Sequence, residues 1–114
     1  MSPSQNFINI KVPETDENFS IDFLQLKKAA LILRALNHKL RLQIIKLIDE
    51  QDKIAVTDVY VKLRLEQSVA SQHLAILRRA GLVNTERDGK FIYYSLDYEN
   101  IQSLNSFVKD LLDR

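Results

Sequence analysis

A chain of 114 residues, 46% apolar and 27% charged, is sized for one globular domain with a modest core. It contains no cysteine, which removes disulfides, thiolate metal sites, thiol redox sensing and cysteine nucleophiles. The formal net charge of +1 does not by itself announce a polyanionic partner.

The distribution of charge says more. Residues 1–26 carry Lys11 against Glu14, Asp16, Glu17 and Asp22, whereas residues 60–94 carry Lys62, Arg64, Arg78, Arg79, Arg87 and Lys90 against Glu66, Glu86 and Asp88. Any attraction for phosphate therefore lies in the second region; a mixed, solvated face is the plainer reading of so small an excess. No apolar run reaches bilayer length and no secretory leader opens the chain, so a cytoplasmic protein without membrane contact is expected. Phosphate loop, dinucleotide fingerprint and nucleophile elbow are all missing, and both glycines, Gly81 and Gly89, stand where turns are needed. These features speak against an enzyme, and no cofactor is expected.

Residues 1–20 hold both prolines, Pro3 and Pro13, and read as a loose N-terminal arm. Within it, Phe7, Ile8, Ile10 and Val12 are able to form a short strand or dock on a neighbour. Residues 21–114 read as the folded domain. Ser20 or Asp22 is placed to cap a helix running to about Leu36. That helix is apolar on more than one side, through Phe23, Leu24, Leu26, Leu31, Ile32 and Leu33, so it is either central to the core or covered by a second copy. Asn37 is placed to cap the next helix, His38 to about Glu50, with Leu40, Leu42, Ile44, Ile45, Leu47 and Ile48 inward. The isolated His38 suits a capping or surface role better than metal ligation. Beyond a polar link, Val56 or Thr57 opens a short helix to Arg64.

Leu65 and Glu66 then turn into a helix over 67–80. Val69, Leu74, Leu77 and Ala80, with Ala70 and Ile76, follow helical spacing, while the first half shows Gln67, Ser68, Ser71 and Gln72, followed by His73. Short amide and hydroxyl groups suit base-edge readout, since a Gln amide pairs bidentately with adenine and a hydroxyl with several edges. An ordinary amphipathic surface helix is the alternative. Helix, short turn and helix with a polar leading half is the helix-turn-helix arrangement. Gly81 is placed as a left-handed cap with Leu82 folding back on the helix. Val83–Arg87 and Lys90–Leu96 read as a hairpin joined by Asp88-Gly89, where both turn positions favour positive φ. Arg87 and Lys90 make its tip a basic wing. Asp97 caps a last helix, Tyr98 to about Leu112, whose Ile101, Leu104, Phe107, Val108, Leu111 and Leu112 form a stripe that nothing later in the chain covers.

The expected fold is mainly α with a small β-hairpin: a winged helix-turn-helix of order α-α-α-α-β-β-α. Three stretches resemble the ArsR/SmtB family of bacterial transcriptional regulators. Leu36-Asn37-His38-Lys39-Leu40-Arg41-Leu42-Gln43-Ile44-Ile45 is similar to the family's approach to its second helix, with Lys39 where proline is common. Gln67-Ser68-Val69-Ala70-Ser71-Gln72-His73-Leu74, running on to Arg79-Ala80-Gly81-Leu82-Val83, resembles its recognition helix and exit. Asp88-Gly89-Lys90-Phe91-Ile92-Tyr93-Tyr94-Ser95-Leu96 resembles its wing. The resemblance spans residues 22–112. It implies a homodimer through the first and last helices, using Phe23, Leu24, Leu31, Ile101, Leu104, Phe107, Val108 and Leu111. It also implies a palindromic double-stranded DNA operator, read by one recognition helix per half-site and repressed when bound. Gln67, Ser68, Ser71, Gln72 and His73 are then expected to face the major groove, with Arg78, Arg87 and Lys90 on phosphate or the minor groove. A protein-interaction module without DNA binding is the alternative; near-neutral charge favours it, as does Glu66, where the family often has a capping Ser.

The resemblance also bears on sensing. Arsenic- and cadmium-responsive members carry paired cysteines in the third helix, where this chain has Ala55 and Thr57. The zinc-responsive type uses Asp, His, His and a carboxylate on the last helix. By spacing, those positions are Asp97, Glu99, Asp110 and Asp113, with no imidazole among them. Zinc prefers nitrogen or sulfur, so no zinc site is expected; only a hard cation such as calcium, magnesium or manganese suits an all-oxygen set. Helix capping by Asp97 and solvation of the others is the plainer reading. The residues name no inducer.

Overall fold

The computed structural model describes residues 6–113, so residues 1–5 of the expected arm, and residue 114, lie outside the described residues. The chain forms two compact units that divide after residue 34 rather than after residue 20.

In the first unit, β1 (Phe7–Lys11) and β2 (Asn18–Asp22) pair antiparallel, from Phe7 opposite Asp22 to Lys11 opposite Asn18. Ile8 stands opposite Ile21 and Ile10 opposite Phe19, so the two strands share one apolar face; Asn9 and Ser20 are hydrogen-bonded on the other. Thr15 closes the connection, its hydroxyl donating to the Val12 carbonyl at 2.9 Å and accepting from the Glu17 N–H at 3.1 Å. The strand considered at Phe7–Val12 is formed, and the loose arm is corrected over residues 7–22: period-2 alternation on both sides of Pro13 gives two strands that match. α1 (Phe23–Leu36) follows without a break. Asp22 is its cap, with Oδ1 accepting from the N–H groups of Leu24 and Gln25 at 3.0 and 3.3 Å.

The second unit holds the core. α2 (Lys39–Gln51), β3 (Ile54–Ala55), α3 (Val56–Leu63), α4 (Gln67–Arg79), β4 (Val83–Asp88), β5 (Phe91–Leu96) and α5 (Tyr98–Leu112) follow in order. The strands make one antiparallel sheet with β5 between β3 and β4. Ile44 and Ile48 of α2, Val59 of α3, and Ala70, Leu74 and Leu77 of α4 meet in one buried cluster with Leu82. That burial, at about 25 cal/mol per Å² of apolar surface, seats α4 on the domain. The expected helix and hairpin order is met, and β1, β2 and β3 are additions to it.

Local chemistry sets the ends of these elements. His38, not Asn37, caps α2: its Nδ1 accepts from the N–H groups of Leu40 and Arg41 at 3.2 and 3.4 Å. Arg64 closes α3 in the left-handed region at φ 56°, and the Leu65 N–H donates to the Tyr60 carbonyl at 2.9 Å, which makes the tight turn into α4. Gly81 ends α4 at φ 76°. The Leu82 N–H reaches back to the Leu77 carbonyl and that of Gly81 to the Arg78 carbonyl, each at 3.0 Å, and the Leu82 side chain is buried, as the sequence leads one to expect. Asp97 caps α5 through Oδ1, which accepts from the Asn100 N–H at 3.1 Å. The Asn100 amide donates to the Gly81 carbonyl at 2.9 Å and ties α5 to the exit of α4. The wing turns one residue later than expected. Asp88 pairs with Phe91, leaving Gly89-Lys90 as the loop, and of these only Gly89, at φ 63°, is left-handed. A loop with glycine first needs positive φ at the glycine alone.

Candidate nucleic-acid interface

α4 has two faces of opposite character. Ala70, Leu74 and Leu77 are fully buried on one. At about 100° per residue, Gln67, Ser68, Ser71, Gln72, Arg78 and Arg79 fall within half the circumference on the other, and all six are exposed. Ser71, Gln72, Ala75, Ile76 and Arg79 line one shallow open depression. Arg79 was not among the expected contacts; it stands seven residues after Gln72, two helical turns along the same face, and that spacing was the signal for it.

The N-terminus of α4 is not capped by a side chain. Glu66 has extended backbone there and makes no capping bond. The first-turn N–H groups therefore remain open to an incoming acceptor. At the wing, Arg87 and Lys90 are both exposed. Arg87 Nε donates to the Gly89 carbonyl at 3.2 Å, and Lys90 Nζ lies 5.6 Å from the centre of the Phe91 ring. Both side chains are thus anchored at the tip with their charge in solvent.

His73 departs from the expected set. It is half-buried on the core side of α4, with Nδ1 3.2 Å from Nη1 of Arg41 and its ring centre 4.9 Å from that of His38. Arg41 is itself 7% exposed, and its Nε donates to the Ala35 carbonyl. Burial holds the pKa of His73 below the ordinary imidazole range, with the neighbouring His38 and Arg41 acting in the same direction. Val69, His73 and Leu77 form a four-residue stripe, which turns His73 inward while Gln72 turns outward.

The residues expected at a dimer contact also divide. Ile101 and Leu104 pack on the chain's own core. Val108 is half-buried, whereas Phe107 and Leu111 are each 50% exposed, and Leu112, at the end of the same stripe, is 75% exposed. On α1, Phe23, Leu24 and Leu31 are exposed. The Asp97 carboxylate is engaged with Asn100. Among the described residues, no group of three or more His, Cys, Asp or Glu is arranged to hold a metal ion. No described helix is long and apolar enough to cross a membrane.

Residues 38–85, from the cap of α2 through the helix-turn-helix into β4, match the family described as bacterial regulatory protein, arsR family. The chain is 38% identical over 92 residues to the HTH-type transcriptional regulator YbzH of Bacillus subtilis, covering 68% of this chain and 92% of that protein. The chain belongs to the arsR family. As an ArsR-family protein it is a DNA-binding regulator of transcription, and its relatives are regulators rather than enzymes. Its structure resembles that of HlyU from Vibrio cholerae, with a TM-score of 0.61 and 32% identity over 79% of this chain and 97% of that one. It also resembles Mb0332 from Mycobacterium bovis, described as a homodimeric winged helix-turn-helix DNA-binding domain, with a TM-score of 0.64 and 30% identity over 79% and 82% of the two chains. The ArsR-family fold and the expected resemblance therefore agree.

Proposed function

We propose that this ArsR-family regulator acts in the cytoplasm as a homodimer on a two-fold symmetric operator. Gln67, Ser68, Ser71 and Gln72 read base edges in the major groove. Arg78, Arg79, Arg87 and Lys90 hold phosphate or the adjacent minor groove. The observation that carries this reading is the single exposed polar face of α4, whose opposite face is locked in the core. A homodimer is supported by the exposed apolar residues of α1 and α5, notably Phe23, Leu24, Leu31, Phe107 and Leu111, and by the homodimeric state of Mb0332. Repression follows where the operator overlaps the polymerase's own site, because two such domains on one turn of DNA exclude another protein.

Selection of bound duplexes from a random-sequence pool tests the reading. The expected product is an inverted repeat with half-site centres about 10 base pairs apart, matching two recognition helices one turn apart. An asymmetric single site, or no enriched sequence, contradicts it.

A further inference from the structure

The chain has two histidines, and the fold brings them together around one buried arginine. A guanidinium carries donors only, so His73 Nδ1 facing Nη1 of Arg41 presents its lone pair and holds its proton on Nε2. His38 is fixed in the same tautomer, because its Nδ1 accepts from two backbone N–H groups. A metal bridging the two Nε2 atoms would require a proton on each Nδ1, where donors already point, so the pair is not built for metal. The geometry instead makes the contact with Arg41 depend on His73 being neutral. A proton added to His73 sets an N–H against the Arg41 guanidinium, beside a second imidazole, and removes the hydrogen bond between α2 and α4.

Arg41 is held within the second unit on two sides. Its backbone lies in the first turn of α2, its Nε donates to the carbonyl of Ala35, the first residue of that unit, and its Nη1 holds the middle of α4 through His73. His73 is adjacent to Gln72, so any rotation of α4 about this contact moves a base-reading side chain. We propose that the Arg41–His73 hydrogen bond positions the recognition helix on the domain, and that protonation of His73 releases it, so that operator affinity falls at mildly acid pH. This rests on the reading that α4 enters the major groove. The groups facing His73 are His38 and Arg41 from the α2 side; Arg78 and Arg79 on its own helix are exposed.

The sign separates this role from direct contact. A histidine on DNA gains charge in acid and tightens binding, whereas a positioning histidine loosens it. Phosphodiesters do not titrate near neutrality, and between about pH 7 and about pH 5.8 the histidines are the groups of this chain whose ordinary pKa lies in range. The stability sign agrees with release. Unfolded His73 takes up its proton near the ordinary imidazole value and folded His73 only at lower pH. The unfolded chain therefore binds more protons in that window, and stability falls as pH drops through it, levelling off below the folded pKa.

The test compares wild type with His73→Gln, which keeps an acceptor for Arg41 and cannot be protonated. Anisotropy against a duplex recovered by selection is measured at both pH values and constant ionic strength, with circular dichroism melts alongside. Wild type should weaken about two- to fourfold on acidification, the range open to one proton taken up below the ordinary imidazole value, and His73→Gln by much less. An NMR titration of the His73 ring in wild type, free and on the duplex, reads the same linkage without substitution: the ring pKa should be lower on DNA. Equal pH ratios for the two proteins, tighter wild-type binding in acid, or a ring pKa unchanged or raised on DNA each overturn the proposal. Failure of the α4 reading itself would appear elsewhere, as Gln72→Ala leaving sequence preference intact at the higher pH.

Discussion

Gln72 and His73 are consecutive residues with opposite tasks. The amide of Gln72 is exposed beside Ser71 and Arg79, where it can meet a base edge, while the ring of His73 is hydrogen-bonded to Arg41. Gln72→Ala should lose about 1–3 kcal/mol on the selected site and much less on shuffled DNA, as read by anisotropy on the two duplexes. Equal losses on both would make Gln72 a backbone contact. Arg87→Ala should behave the other way. It should weaken both duplexes alike and reduce the slope of log affinity against log salt by about one, because its charge meets phosphate without reading sequence.

At the scale of elements, α4 is defined as much by its exit as by its face. Gly81 is left-handed, and a Cβ there would lie 3.4 Å from the Asn100 amide that holds α5 to this turn. Gly81→Ala should therefore destabilise the domain by about 1–2 kcal/mol, seen as a lower urea midpoint at unchanged slope. Gly81, Leu82 and Asp97 were legible because each acts through bonds to residues a few positions away. Other features depend on partners distant in sequence. β3 is two residues long and exists through pairing of Ile54 and Ala55 with Tyr94 and Tyr93, so no local periodicity announces it. His38 rather than Asn37 caps α2 because the His38 ring is also held against His73, 35 positions away. The inward turn of His73 was encoded in the Val69–His73–Leu77 spacing, but its polar chemistry masked that stripe until Arg41 supplied a buried partner.

Charge in the whole molecule is concentrated locally rather than divided between the units: in the first, Glu14, Asp16, Glu17 and Asp22 are matched by Lys11, Lys27, Lys28 and Arg34. In the second, the basic residues of the recognition helix and wing concentrate attraction for phosphate despite a net charge of +1. Exposed Phe23, Leu24 and Leu31 on α1, with Phe107 and Leu111 on α5, leave each unit with apolar surface that a second copy is suited to cover. The central claim is that the polar half of α4 reads sequence while the basic residues supply general affinity. Anisotropy of the unmodified chain against the selected duplex and a scrambled duplex of equal composition, over a salt series, tests it most directly. The account predicts affinity falling with salt on both duplexes and a preference of about 10³ or more for the selected site. Equal affinity for the two duplexes, or binding indifferent to salt, would contradict it.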